Sequence, residues 1–92
     1  MENITLEDIK QQLLEFGYED SVVLEDPSYE TAVIGVDCYE RVVYDYDKMV
    51  QYLMDKDGMT QEESMEFIDY NTVRALPYMG DRAPIIIYNI FE

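Results

Sequence analysis

The chain has 92 residues, of which 21 are acidic and six basic, and it carries a net charge of −15 with no histidine and one cysteine. That length suits one domain over residues 1–92 with a single core, and 48% hydrophobic content sets it apart from disordered acidic tails. Phosphate-directed binding of nucleic acid needs clustered Lys and Arg, whereas here Lys10, Arg41, Lys48, Lys56, Arg74 and Arg82 are scattered. Direct nucleic-acid or anionic-membrane binding is not expected. No apolar run approaches a membrane span, and Met1–Thr5 lacks the marks of a signal peptide, so the expected compartment is the cytoplasm of the producing or infected cell.

In chain order, Thr5 is a helix N-cap with Asp8 three residues on. Leu6, Ile9, Leu13 and Phe16 follow in one arc, and Gly17 closes the helix at its C-terminal end. Three short β-branched runs, Ser21–Glu25, Thr31–Asp37 and Arg41–Tyr44, are separated by turn-type residues and predict an antiparallel meander. A second helix is predicted over 47–56, capped by Asp47 and stopped at Gly58. A third spans 61–76, opened by a Thr60–Glu63 capping box, with Met65, Ile68, Thr72, Ala75 and Leu76 facing the core and Pro77 as its stop. The unbroken run Pro84–Ile90 reads as a strand covered on both faces. The fold expected is α+β, a four-stranded, mostly antiparallel sheet with three helices in the order α-β-β-β-α-α-β.

Catalytic constellations are scarce. Without histidine the commonest neutral-pH base is missing, and Cys38 has no base or cation nearby to activate it, so it reads as a turn or strand-end residue. Gly17, Gly35, Gly58 and Gly80 are isolated, which excludes a phosphate loop. Asp55-Lys56-Asp57-Gly58 fits a calcium loop only if Leu53 and Ser64 supply its first and last ligands, so it reads as a helix stop. No enzymatic activity, cofactor or metal is expected. Paired carboxylates are uninformative among so many acids.

The acidic surface has more pattern. Glu62, Glu66 and Asp69 stack at i, i+4, i+7 along the third helix, with Glu63 and Tyr70 on its flank, and Asp45 and Asp47 add charge before the second helix. The plain reading is a solvated helix face. The functional reading is a surface imitating a row of phosphates. Nine tyrosines are too many for so small a core. Tyr88 and either Tyr44 or Tyr52 are expected inside, while Tyr29, Tyr39, Tyr46 and Tyr70 sit beside acids or in turns, where tyrosine serves interfaces. The candidate partner-binding residues are therefore Asp45, Asp47, Glu62, Glu66, Asp69 and Tyr70.

The segments Arg41–Met49 (RVVYDYDKM) and Met59–Tyr78 (MTQEESMEFIDYNTVRALPY), with the Pro84–Tyr88 ending, resemble a group of small acidic proteins of unassigned function from phages, prophages and gut bacteria. That resemblance implies a mobile-element accessory protein. By analogy of class, such proteins include anti-CRISPR and anti-restriction inhibitors, several of them DNA mimics. The expected function is a non-enzymatic inhibitor or modulator that occupies a basic, nucleic-acid-binding surface of a partner protein, such as a nucleic-acid-binding enzyme. The alternative is a self-associating accessory protein, a homodimer whose acidity serves solubility only.

Overall fold

The computed structural model describes residues 4–91. Helix α1 (Leu6–Glu15) begins as its sequence directs. Thr5 Oγ1 accepts from the Asp8 N–H, and the Asp8 carboxylate accepts from the Thr5 N–H, forming a reciprocal capping box. Ile9 and Leu13 point inward, but Phe16, expected on the same arc, is exposed. Gly17 follows at φ 83°, the left-handed geometry that ends many helices.

Strands β1 (Val33–Val36) and β2 (Val42–Asp45) pair antiparallel, matching Val33 with Tyr44, Gly35 with Val43 and Val36 with Val42. The register shift between Val33 and Gly35 leaves Ile34 as the extra residue of a bulge. Helix α2 (Tyr46–Asp57) starts directly from β2, and α3 (Gln61–Phe67) follows after Gly58. The chain then passes through a π-helical stretch (Ile68–Thr72) and a 3-10 stretch (Val73–Tyr78) to β3 (Ile85–Ile87). β3 pairs parallel with β2, aligning Val43 with Ile85 and Asp45 with Ile87. A parallel neighbour needs a long crossover, and the helical passage from Tyr46 to Tyr78 supplies it.

Further expectations are corrected. First, among the described residues the sheet has three strands in the order β1-β2-β3, and it is mixed, not mostly antiparallel. Ser21–Glu25 joins no ladder among the described residues, and side-chain hydrogen bonds tie it to β2 and to the β1–β2 turn instead. The Leu24 N–H donates to Tyr44 Oη at 2.9 Å, and Ser21 Oγ donates to the Glu40 carbonyl at 2.5 Å. Second, the helix over 61–76 is α-helical only to Phe67. Widening at Ile68–Thr72 turns Ser64, Ile68 and Thr72 inward at four-residue steps and leaves Met65 outside. Pro77 lies within the 3-10 stretch and does not stop it. Third, α2 is capped by Asp45, two residues before the expected Asp47. Fourth, β3 is half-buried along its length, and Tyr88 stands half out of the core.

The core is centred on Tyr29, Ala32, Val42, Tyr44, Met49, Leu53 and Ile68, all closed to solvent. Tyr29, expected among the surface tyrosines, is therefore internal. Its ring meets Tyr52 at 5.4 Å between centroids, and its hydroxyl lies 3.4 Å from Thr72 Oγ1. Burial, the dominant influence, raises the Tyr29 phenol above its ordinary value. Among the described residues no helix is long and apolar enough to cross a membrane.

Candidate functional site

The β2–α2 junction, the π-helical stretch and the end of β3 bring acids and aromatic rings together. An Asp just before a helix fills the N-cap role, because its short carboxylate reaches the free amides of the first turn. Asp45 does this by accepting from the Lys48 N–H at 3.1 Å, and its other oxygen accepts from Asn89 Nδ2 at 2.6 Å. Asp45 is buried, and both of its carboxylate oxygens are engaged internally.

Tyr46 opens α2 and packs its ring on Tyr88, with 4.6 Å between centroids and 33° between planes. Its hydroxyl donates to Asp69 Oδ1 at 3.3 Å. Burial first, and then the Asp69 carboxylate, push the Tyr46 phenol up to about 12, with Tyr88 and Asp47 adding to the rise. Burial and then Asp69 raise the Tyr88 phenol too. Tyr46 thus donates its hydroxyl to Asp69, whose charge also acts on the neighbouring Tyr88 phenol. Tyr70 is 68% exposed, and the Arg74 guanidinium lies 4.7 Å from its ring centroid.

Of the six residues expected to bind a partner, Asp47, Glu62, Glu66, Asp69 and Tyr70 are exposed. Glu62 and Glu66 lie on α3, and Asp69 and Tyr70 on the following π-helical stretch. Asp69 joins Asp47 around Tyr46, since both act on its phenol. Asp45 belongs to the same cluster but lies beneath its surface. Tyr46, Tyr88 and Asn89 complete the arrangement. Tyr46 between two aspartates was a legible signal, whereas nothing in the sequence ties Tyr88 and Asn89 to Asp69 and Asp45.

The cluster's chemistry suits a cation. It offers carboxylate oxygens as acceptors and ring faces as apolar, electron-rich surface. Among the described acids, ion pairs engage only Glu25, 3.8 Å from Lys10 Nζ, and Asp37, 3.3 Å from Arg41 Nε. Among the described residues no group of His, Cys, Asp or Glu side chains converges closely enough to hold a metal ion. Cys38 sits exposed in the β1–β2 turn. In comparisons with protein-family models, curated proteins and solved structures, the chain matches none.

Proposed function

We propose that this chain is a non-enzymatic binding protein whose acidic, tyrosine-bearing face occupies a basic, nucleic-acid-binding surface of a partner protein. The observation that carries the reading is Asp69, an exposed carboxylate that accepts from the Tyr46 hydroxyl, with the exposed Tyr70 next to it in the chain. Glu62 and Glu66 on α3 and Asp47 on α2 are further exposed acids. Carboxylates give long-range attraction and register, and tyrosines give buried area at little rotamer cost. The pairing of Arg74 with the Tyr70 ring is an internal instance of the contact a partner arginine would make. The net charge of −15 supports a basic partner. The resemblance to small phage and prophage proteins favours an inhibitor or modulator of the anti-CRISPR or anti-restriction class, acting in the bacterial cytoplasm.

The test is capture of partners from host lysate on the immobilised protein, eluted by a salt gradient. Joint reversal of Glu62, Glu66 and Asp69 to Lys is expected to weaken capture by at least about tenfold. Reversal of the exposed Glu7, Glu15 and Glu19 is expected to cost less. Asp8 is left out of that control because it closes the capping box of α1. Equal losses would reduce the effect to bulk charge, and no loss from either set would leave the acid as a solubility device.

A self-associating accessory protein is the second reading. It is favoured by Ile90 and Phe91, which are 78% and 85% exposed beyond β3. A dimer mass in light scattering that is insensitive to salt supports it, and a monomer excludes it.

A further inference from the structure

On the opposite edge of the sheet from β3, a groove of about 530 Å³ runs between α1 and β1. Its walls are Ile9, Leu13 and Phe16 from α1, and Val33, Gly35 and Val36 from β1. It shares no residue with the acidic cluster around Tyr46. Among the described residues no strand lies beyond β1, so the outer edge of Val33–Val36 is unpaired. Edge strands are commonly guarded by charged side chains or proline, and Val33-Ile34-Gly35-Val36 has neither. Ile34 and Phe16 are exposed beside it. An open strand edge next to an apolar groove under a helix is the arrangement that accepts an added strand. The added backbone pairs with the edge while alternate side chains enter the groove.

Charge selects the occupant. Asp8 and Glu30 also line the groove. A second copy would bring the same two carboxylates and a further net charge of −15 to this edge. An extended segment with alternating apolar residues and basic ends meets both requirements. We propose that β1 and the α1–β1 groove form a second docking surface, which takes up such a basic-ended segment of a partner protein as an additional strand. The choice of basic ends rests on the basic-partner reading above, while the strand pairing rests on the groove and the open edge alone.

The probe is a short peptide of alternating valine and threonine with lysine at each end, compared with the same peptide ending in glutamate. Titration followed by amide hydrogen exchange is expected to show tighter binding of the lysine peptide. Exchange at Val33–Val36 should slow by about tenfold on saturation. Two variants test the groove without touching buried residues. Phe16 is 70% exposed, and Phe16→Glu removes apolar surface while adding an acid, so a loss of affinity cannot come from weakened attraction. A side chain at Gly35 would meet nothing within 4 Å, so Gly35→Leu grows into open space and obstructs the groove. Each is expected to weaken the lysine peptide by about tenfold with the circular-dichroism spectrum unchanged. Binding without slowed exchange in β1, or binding indifferent to both variants, overturns the docking surface. Slowed β1 exchange in the protein alone that grows with its concentration assigns the edge to a second copy and also overturns it. Equal binding of the glutamate peptide overturns the basic occupant. Reversal of Glu62, Glu66 and Asp69 tests the other surface, so failure there with the β1 results intact sinks only the earlier reading.

Discussion

Around α2 the packing is closed: Met49 and Leu53 of the helix, Tyr44 of β2 and Ile68 of the π-helical stretch are sealed from solvent. Around α1 it is open. That helix contributes two buried residues, Ile9 and Leu13, and borders the groove against β1. Both helices have well-formed N-caps, so the contrast does not come from local helix chemistry. It comes from tertiary contacts, which supply most of a short helix's stability. The α2 side holds the fold, and the looser α1 side leaves apolar surface for other use.

The largest expected effect sharpens this contrast. Leu53→Ala should destabilise by about 3–4 kcal/mol, because a sealed site leaves a cavity. Leu13→Ala, beside an existing groove, should cost about 2 kcal/mol or less. Denaturant unfolding measures both, and equal losses would abolish the distinction.

The second effect concerns the tie between the Ser21–Glu25 segment and β2. Tyr44→Phe leaves the Leu24 N–H without its acceptor, which should cost about 1–2 kcal/mol in the same measurement.

The third lies in alkaline stability. Burial pushes the Tyr44 phenol up to about 12, against the lowering effect of the Leu24 amide, and Tyr46 also reaches about 12. Both start from an ordinary value of 10.0. The unfolded chain loses these protons first as pH rises, so the folded state then holds more of them. Stability from the two groups is therefore intact below pH 10 and falls between 10 and 12. Melting temperatures across that window should decline, and the decline should be shallower in a Tyr44→Phe, Tyr46→Phe double variant. A decline of unchanged steepness would place the cause outside these two rings.

The smallest effect expected is none. Cys38→Ser in the exposed β1–β2 turn should leave both melting temperature and partner capture unaltered, and a loss of capture with the fold intact would reveal a thiol role.

Most helix starts were legible because capping chemistry is local. Thr5 with Asp8 and Thr60 with Glu63 need only residues three apart to meet. At the start of α2 two aspartates stood close together, and only the turn out of β2 gave the cap to Asp45. The exposed acids of α3 were legible for the same local reason, since the spacing of Glu62 and Glu66 places them on one face. The strand pattern was legible as well, but strand pairing was not. Ser21–Glu25 has strand composition, yet the Tyr44 hydroxyl, twenty residues away, takes the Leu24 amide. The parallel placement of β3 depended on where the helical crossover returned the chain. The face turned inward by 61–76 depended on widening at Ile68–Thr72, where the buried Thr72 hydroxyl meets Tyr29. By itself the sequence determined the charge, the capping boxes of α1 and α3 and the exposed acids of α3, all of which follow from composition or from neighbours within a few residues. Only the tertiary structure decided which tyrosines lie inside, that Asp45 is buried while Asp69 is held beside Tyr46 and Tyr88, and that one sheet edge stays open, because each of these depends on contacts between residues far apart in the chain.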